Sequence, residues 1–315
     1  MNKKSKKTKK TICVVLIIVL ILLAGGSYFI GDQLVEASTQ LVTNEQTMEM
    51  YEQSWKLEGF DYDTFKEKYE IKTVTLTSSF DEHTLPFDVV TKEGNENIVV
   101  MSHGMLGNRL TNYPTAEIFL ENGYNVITYD QRSSGENYAE RSTFGYWEKY
   151  DLIDCINYAA ENFKGAKIAV WGESFGGITA LLAVGYEDVQ DHISVLILDC
   201  PVSEMKAMIE SEVSKMGIPI PMGYMMACGD LAMKQKLGFS FDDADGLAAA
   251  AKITVPTMIF NSSVDEITPE SMGQDIYNSL ASEKKELWTS DRSDHIEIRN
   301  DDREIYTEKI LDFIL

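Results

Sequence analysis

Three side chains in the second half of the chain could together perform nucleophilic catalysis. Ser174 lies at the centre of residues 172–176, which follow the pattern Gly-x-Ser-x-Gly. A serine hydroxyl is a weak nucleophile at neutral pH and needs a general base beside it. His295 is our candidate for that base. Asp265 is our candidate for the carboxylate that orients the imidazole and stabilises its protonated form.

The residues around Ser174 predict the sharp turn that such a nucleophile needs. Ile168–Trp171 is a short apolar strand, and residues 175–185 predict a helix rich in alanine and leucine. Small residues two positions before and after the serine let the backbone turn sharply. A strand before this pentapeptide and a helix after it are the context of a nucleophile elbow. The alternative is an ordinary glycine-rich turn between a strand and a helix.

The order of the candidates along the chain selects the histidine. In one large class of serine hydrolases the nucleophile comes first, the acid second and the histidine last. Of the four histidines, only His192 and His295 follow Ser174. His192 precedes a predicted strand and is interpreted as a solvated loop residue. His295 lies in a polar loop between the last predicted strand and the last helix, from which it can reach the carboxyl edge of a sheet.

The acid has to lie between Ser174 and His295. Asp265 follows the predicted strand Thr257–Phe260 and precedes a predicted helix, so it belongs to a loop at the same sheet edge. Asp199 also lies at the end of a strand. That strand is the neighbour of the elbow strand, so Asp199 is expected to shape the pocket wall. Asp294 is too close to His295 in the sequence to orient its ring easily.

Two backbone amides are candidates for an oxyanion hole. One is the N–H group of Phe175, the residue after the nucleophile, and the other is that of Met105, in the loop after the third predicted strand. Each such donor can contribute a factor of about 100 to 1,000 in rate. His103 in the same loop is expected to hold the loop through its ring nitrogens, because a catalytic role would break the chain order.

The order of the predicted elements indicates a mostly parallel sheet covered by helices on both faces. Two strands come first, and strands and helices then alternate. The predicted strands are Ile71–Leu76, Leu85–Val90, Ile98–Met101, Asn125–Tyr129, Ile168–Trp171, Val195–Leu198, Thr257–Phe260 and Leu287–Trp288. Helices are expected near residues 115–122, 146–163, 175–185, 269–280 and 305–315.

Taken together, these motifs resemble those of the α/β-hydrolase superfamily, in particular its membrane-anchored or secreted bacterial serine hydrolases. The resemblance covers about residues 70–315 and is carried by Ser102–Gly104, Tyr129–Gly135, Gly172–Gly177, Val255–Asp265 and Asp294–His295. It implies the α/β-hydrolase fold with a small helical lid, the triad named above, and neither a metal nor an organic cofactor. Two positions depart from the usual pattern: Asn261–Ser263, where relatives often have a glycine, and Asp294, where glycine is common.

The insert of about residues 202–251 occupies the position of a lid in that superfamily. It contains seven of the fourteen methionines: Met205, Met208, Met216, Met222, Met225, Met226 and Met233. Flexible thioethers adapt to varied apolar ligands, so the lid is expected to form a pocket for an acyl or other apolar substrate. The alternative is a helical cap whose methionines fill its own core.

The N-terminal residues predict a membrane anchor. Residues 1–10 carry six lysines and no acid, and residues 11–31 contain no charge, which is long enough to span a bilayer. The lysines predict a cytoplasmic N-terminus and an extracytoplasmic domain. The alternative is secretion after cleavage of a signal sequence near Ala24–Ser27. Residues 32–70 are interpreted as a leading helical segment and 71–315 as the hydrolase domain.

Composition excludes several other classes of protein. The chain has 50 acidic and 28 basic residues, and without its first ten residues only 22 basic residues remain. Such a surface repels nucleic acid and anionic lipid. The four cysteines are too few for a disulfide scaffold, and neither a Cys-x-x-Cys pair nor a Cys/His cluster predicts a zinc site. A Cys200–Cys228 bridge and free thiols are the two alternatives.

The sequence therefore predicts an anchored extracytoplasmic serine hydrolase, of the carboxylesterase type, that acts on a small or acyl substrate. One alternative is a peptidase or acyl-peptide hydrolase with the same triad. The other is a non-catalytic binding protein on a hydrolase scaffold, against which the intact triad argues. A haloalkane-type dehalogenase is disfavoured because its elbow requires a carboxylate where this chain has Ser174.

Overall fold

The computed structural model describes residues 3–186 and 188–314, with side chains in the first helix from Leu16 onward except Ile17. Met1 and Asn2 of the basic tail, and Leu315 of the predicted last helix, lie outside this part. The chain forms two compact units. We call residues up to Thr39 together with Met208–Asp243 the anchor–lid unit, and the remainder the sheet unit.

Twelve α-helices and eight strands are found in the described residues. The helices are α1 (Lys3–Thr39), α2 (Asn44–Glu58), α3 (Tyr62–Lys68), α4 (Tyr113–Leu120), α5 (Glu148–Asn162), α6 (Phe175–Val184), α7 (Met205–Lys215), α8 (Met222–Leu237), α9 (Gly246–Ala250), α10 (Glu270–Ser279), α11 (Ile298–Asp301) and α12 (Arg303–Ile314). The strands are β1 (Glu70–Thr77), β2 (Thr84–Thr91), β3 (Asn97–Ser102), β4 (Tyr124–Tyr129), β5 (Ile168–Glu173), β6 (Ile193–Asp199), β7 (Thr257–Ser262) and β8 (Lys285–Ser290).

The eight strands form one sheet in the order β1-β2-β4-β3-β5-β6-β7-β8. β2 is antiparallel to both of its neighbours, β1 and β4, and every other pair is parallel. The predicted mostly parallel sheet is thereby confirmed. The central strands β3 and β5 are buried almost throughout, which is why they read as continuous apolar runs in the sequence.

Helices cover both faces of the sheet. On one face, alternate residues of the central strands join a core with α3, α4 and α12, whose members include Val99, Met101, Trp171, Phe119, Tyr306 and Ile310. On the other face, the ring of Phe87 in β2 packs edge-on against Tyr158 of α5. The period-two alternation of a strand thus sends neighbouring side chains into separate cores.

Three helices precede the sheet: α1, α2 and α3. α1 runs on to Thr39, so the predicted boundary between residues 31 and 32 falls inside a helix. No glycine or proline interrupts residues 32–39, which explains the continuation. α2 then begins at a capping box made by Thr43 and Gln46. The aromatic residues of α2 and α3 are packing residues: Trp55 stacks on Tyr113 of α4.

The carboxyl ends of the parallel strands bring the candidate residues to one edge of the sheet. Ser174 follows β5 directly, and Cys200 follows β6. Asp265 lies three residues after β7, and His295 five residues after β8. Loops at the carboxyl edge of a parallel sheet form the ligand sites of α/β folds.

Candidate active site

Ser174 is held in a strained backbone conformation between β5 and α6. Its φ is 50° and its ψ is −114°, a region that residues other than glycine rarely occupy. The Ser174 N–H group donates to Asp199 O at 2.8 Å, and the Ser174 carbonyl accepts from Gly177 N at 2.9 Å. These two bonds fix the backbone on both sides of the hydroxyl. The turn is therefore determined by the neighbouring strand and by the start of its own helix.

The two glycines of the pentapeptide are required by close backbone contacts. A Cβ atom on Gly172 would lie 2.4 Å from the carbonyl oxygen of Gly176. A Cβ atom on Gly176 would lie 2.1 Å from the carbonyl oxygen of Ser102, at the end of β3. Real Cβ atoms do not approach other atoms so closely, so only glycine fits at either position. The pentapeptide is thus a packing requirement of this elbow.

The structure brings Ser174, His295 and Asp265 into one chain of hydrogen bonds. His295 Nε2 lies 2.9 Å from Ser174 Oγ, and His295 Nδ1 lies 2.6 Å from Asp265 Oδ2. These three residues come from three different loops at the same sheet edge. When the Nδ1–H group donates its hydrogen bond to the carboxylate, Nε2 is unprotonated and can accept the serine proton.

Comparisons with known proteins agree with this architecture. A family model described as alpha/beta hydrolase fold matches residues 97–219. The solved Pyrococcus furiosus esterase Pf2001 superimposes with a TM-score of 0.64 at 19% identity, covering 81% of this chain and 93% of that one. The α/β hydrolase GrgF from Penicillium sp. sh18 gives 0.60 at 20% identity, covering 78% and 98%. The chain has the α/β-hydrolase fold.

The sequence is also similar to a curated bacterial protein. It is 25% identical over 234 residues to the uncharacterized protein YqkD of Bacillus subtilis (strain 168). The match covers 74% of this chain and 73% of that protein. This relative adds no activity, so the chemistry of the α/β-hydrolase site has to be argued from its own geometry.

The carboxylate of Asp265 is held by the backbone as well as by the imidazole. Its Oδ1 atom accepts hydrogen bonds from Ile267 N and Thr268 N, both at 2.8 Å, and Thr268 Oγ1 lies 2.8 Å from Oδ2. Burial raises the pKa of Asp265, but the bonds from His295 and Thr268 outweigh burial and hold this pKa below its usual value. Asp265 is therefore ionised at neutral pH, as an orienting carboxylate must be.

The two rival acids serve other groups. Asp199 Oδ2 accepts a hydrogen bond from the hydroxyl group of Tyr306 at 2.9 Å. Asp294 Oδ1 accepts from the backbone N–H group of His295 at 2.8 Å and so shapes the loop rather than the ring. Of the three aspartates considered from the sequence, the structure brings Asp265 to the imidazole.

His103 organises the loop that follows β3. Its Nε2 atom accepts from Gln131 N at 3.0 Å, and its Nδ1 atom lies 2.7 Å from Gly104 O. Burial lowers the pKa of His103 to about 4, so the ring is neutral and Nδ1 donates to the carbonyl. Both ring nitrogens are thus occupied by backbone groups, as expected for a residue that holds its loop.

The two candidate oxyanion donors flank the elbow. Gly104 N donates to Glu173 Oε1 at 3.1 Å, which fastens the loop bearing Met105 beside the residue before the nucleophile. Phe175 is the first residue of α6, where backbone N–H groups have no partner within the helix. Across residues 3–186 and 188–314, neither the Met105 amide nor the Phe175 amide donates to another protein group. Both amides remain available to a substrate oxygen.

Gln131 is a residue of the site to which the sequence assigned no role. Its Nε2 atom donates to His103 O at 2.5 Å, and its Oε1 atom accepts from Thr179 Oγ1 of α6 at 2.9 Å. It therefore ties the loop after β3 to the helix that carries Phe175. The motif Tyr129–Gly135 was part of the superfamily resemblance, and this signal could have identified Gln131.

Arg299 is a second residue that the sequence did not reveal. It is buried, it forms an ion pair with Glu173, and its Nη2 atom lies 3.8 Å from Glu58 Oε1. Arg299 lies four residues after His295 in the sequence. Its ion pair with Glu173 therefore fastens the loop that carries His295 to the elbow. Glu173 occupies a variable position of Gly-x-Ser-x-Gly, so the pentapeptide carries no signal for this pair.

The one group of candidate metal ligands in the described chain coincides with the site. The ligand atoms of Cys200, Asp265 and His295 lie within 4.8 Å of one another. A cysteine binds a metal as the thiolate, and burial raises the pKa of the Cys200 thiol well above its usual value. A metal bound here would also remove the imidazole from Ser174. Cys155, Cys200 and Cys228 are each free thiols.

Proposed function

We propose that this protein is a serine hydrolase that cleaves carboxylic esters. The observation that carries the proposal is the chain of hydrogen bonds from Asp265 through His295 to Ser174, with distances of 2.6 and 2.9 Å. A binding protein has no need for all three groups in this order. Here the bonds run from an ionised acid through a base to a hydroxyl on a strained turn.

In the first half of the reaction, Ser174 Oγ attacks the ester carbonyl carbon while His295 Nε2 takes the hydroxyl proton. The carbonyl oxygen becomes negatively charged and accepts hydrogen bonds from the Phe175 and Met105 amides. Asp265 stabilises the imidazolium that forms. The tetrahedral intermediate then expels the alcohol, which takes the proton from His295, and an acyl group remains on Ser174.

In the second half, water replaces the alcohol. His295 removes a proton from the water, the resulting hydroxide attacks the acyl carbonyl, and the same two amides hold the negative oxygen. The intermediate collapses to a carboxylic acid, and Ser174 recovers its proton from His295. The enzyme returns to its starting state without a metal or an organic cofactor.

The name of a similar solved protein favours an ester over an amide. The Pyrococcus furiosus protein is called an esterase. A peptidase would need a charged subsite for a peptide terminus, which an esterase does not. Ester cleavage is therefore the function we propose, and peptide cleavage is an outcome that the test below distinguishes.

We propose further that α1 anchors the protein in a membrane, with the N-terminus cytoplasmic and the sheet unit outside. α1 is the one helix in the described residues that is long and apolar enough to cross a bilayer, a property shared with signal sequences. Six lysines precede the apolar run and favour a cytoplasmic N-terminus. The uncharged run extends past the small residues Ala24–Ser27 through Ile30, which favours retention of the helix.

The catalytic proposal is tested with a fluorophosphonate probe on the full chain in membranes. We expect the wild type to be labelled and Ser174→Ala and His295→Ala to be unlabelled. His192→Ala is the matched control, since His192 is exposed and belongs to a short helical turn before β6, and it should be labelled like the wild type. An unlabelled but folded wild type would overturn the proposal. Labelled protein that cleaves acyl-peptides faster than p-nitrophenyl acyl esters would change the substrate class alone.

The location is tested by the mass of the mature chain and by protease accessibility. Retention predicts a mass that includes Lys3–Gly26, resistance to extraction from membranes by alkaline carbonate, and digestion of the sheet unit from the outside in whole cells. A chain that begins near Ser27 and appears in the medium would establish secretion instead.

A further inference from the structure

We propose that Met216–Tyr224 of the lid inserts into the outer leaflet of the membrane beside α1. We call this segment the lid tip. The proposal extends the membrane anchor proposed above and rests on it. The lid tip and α1 both belong to the anchor–lid unit.

Contacts along their length show that α1 and α8 pack side by side in parallel. Ser27 Oγ of α1 lies 2.7 Å from Tyr224 Oη of α8. Four residues further along α1, a Cβ atom on Gly31 would lie 2.3 Å from the carbonyl oxygen of Cys228, which is four residues after Tyr224. Because both partners advance by four residues, the helices point the same way. The start of α8 therefore lies beside the apolar part of α1.

Charge begins at the same level on both helices. Residues 11–31 and residues 216–229 are each uncharged, and the next residues are Asp32 and Asp230. Beyond this level, Lys236 of α8 pairs with acidic residues of α1, one of which is Asp32. On both helices the charged residues lie on one side of a common plane and the uncharged residues on the other. This is the pattern expected at the boundary between water and hydrocarbon.

The packing places Tyr224, the last residue of the lid tip, below that plane. With a helical rise of about 1.5 Å per residue, Ser27 lies about 7.5 Å below Asp32 along α1. Tyr224 is hydrogen-bonded to Ser27 and shares its depth. Met222 and Gly223 begin α8, before Tyr224 and further than Tyr224 from Asp230 along the helix, and the uncharged residues 216–221 lead directly into them. This depth is within the roughly 5–10 Å that interfacial segments reach.

The lid tip exposes the side chains that such an insertion requires. Met216 is 64% exposed, Ile218 41% and Tyr224 43%, although all three are large and apolar or amphipathic. An exposed cluster of this kind marks an interaction surface. Tyrosine is enriched at membrane interfaces. Lys215 directly precedes the cluster and pairs with Glu212 at 2.7 Å, so charged side chains resume at the end of α7.

The occupant we assign to this surface is the bilayer rather than another protein. The apolar part of α1 lies beside Tyr224 of the lid tip. Any membrane that holds α1 is therefore already next to the lid tip. A second copy of the chain or another protein would have to compete with the lipid at the same depth. Contact with the bilayer needs no additional component.

The test uses a polarity-sensitive fluorophore on the full chain in phosphatidylcholine vesicles. The reporter is Ile218→Cys in a chain with Cys13→Ala and Cys228→Ala, because Cys155 and Cys200 are buried. Gln235→Cys, exposed near the far end of α8, is the matched control. We expect the label at 218 to emit at shorter wavelength and to be quenched by lipids with nitroxide-bearing acyl chains. Aqueous iodide should quench it at least several-fold less than the label at 235.

Equal quenching by iodide at 218 and 235 would overturn the lid proposal. Alkaline carbonate extraction of the same vesicles reports on the anchor separately. Protein retained in the membrane with a water-accessible label at 218 removes the lid proposal and leaves the anchor. Protein released by carbonate removes both. A further outcome is a label that is protected from iodide only at high protein concentration and is unaffected by nitroxide lipid. That result would assign the surface to a second copy of the chain and would also overturn the proposal.

Discussion

The hydroxyl of Thr268 connects three groups of the active site. Its Oγ1 atom lies 2.8 Å from Asp265 Oδ2, 3.1 Å from His295 Nδ1 and 3.1 Å from Cys200 O. It touches neither Ser174 nor the two candidate oxyanion amides. Thr268 is therefore a positioning residue, which acts by fixing the carboxylate against the imidazole.

Replacing this hydroxyl should slow the reaction without weakening substrate binding. A hydrogen bond to a charged group contributes about 1.5–3 kcal/mol, so Thr268→Val should lower kcat about 10- to 100-fold and leave KM unchanged. Thr268→Ser keeps the hydroxyl and should retain most of the activity. Steady-state ester hydrolysis measures both. An equal loss in the serine variant would show that side-chain shape, and not the hydrogen bond, is what matters.

Gly176 should tolerate no side chain. A Cβ atom there would lie 2.1 Å from Ser102 O, and backbone atoms cannot move aside as a flexible side chain can. Overpacking of this kind destabilises a protein by about 1–3 kcal/mol. Gly176→Ala should therefore lower the free energy of unfolding by at least this amount and abolish labelling by the fluorophosphonate probe.

Gly223 of α8 is the matched control for this substitution. No atom lies within 4 Å of a Cβ built on it. Alanine favours a helix over glycine by up to about 1 kcal/mol, so Gly223→Ala should leave stability unchanged or raise it. Chemical denaturation in detergent compares the two variants. A Gly176→Ala protein as stable as the wild type would contradict the packing argument.

The sequence allowed the residues of the proposed triad to be selected but not the residues that support them. Ser174 and His295 could be chosen because a short pentapeptide and the order of the chain restrict them. Gln131 and Arg299 act through contacts with His103 and Glu173, far away in the sequence. Nothing local distinguishes a buried arginine that pairs across the fold from one on the surface.

At the scale of elements, the contact between α1 and α8 depends on a glycine. A Cβ atom on Gly31 would lie 2.3 Å from Cys228 O and 2.9 Å from Ala232 Cβ, whereas nothing lies within 4 Å of one on Gly26. Small residues allow helix backbones to approach closely. Gly31→Leu should therefore separate the two helices, and Gly26→Leu should not.

The fluorophore at position 218 measures this separation. We expect Gly31→Leu to increase quenching by aqueous iodide to the level seen at position 235, because the lid tip is no longer held beside α1. Gly26→Leu should keep the shielded signal. Both variants should remain in the carbonate-resistant fraction, since leucine favours insertion. If the two variants behave alike, the helix contact does not position the lid tip.

The elements themselves followed from the sequence where burial is strong. β3 to β6 are buried along nearly their whole length and were predicted within two residues at either end. β8 was predicted as Leu287–Trp288 but runs from Lys285 to Ser290. It is an edge strand with the single partner β7, so charged residues remain in contact with water and the apolar signal is short.

At the scale of the whole molecule, a buried acid should make stability depend on pH. Burial raises the pKa of Asp199 to about 6, from about 4 in an unfolded chain. Between these two values the folded state keeps a proton that the unfolded state has lost. This group therefore contributes a fall in stability of up to about 1.4 kcal/mol per pH unit as pH rises through this window.

Asp199→Asn should remove that component. The difference in the free energy of unfolding between the variant and the wild type should shift in favour of the variant as pH rises from about 4 to about 6. Denaturant titrations across this range measure the difference. Asp291→Asn, the same substitution at an exposed position, is the control. A constant difference for Asp199→Asn would mean that Asp199 titrates alike in the folded and unfolded states.

The strained backbone at Ser174 gives evolution an easy way to lose this activity. A residue other than glycine at φ 50° and ψ −114° costs about 1–3 kcal/mol, and glycine occupies this region freely. Its greater backbone freedom in the unfolded chain offsets about 0.5–1 kcal/mol of the relief. Ser174→Gly would thus inactivate the enzyme while leaving it as stable or more stable. In descendants released from selection for catalysis, folding alone would not preserve the serine.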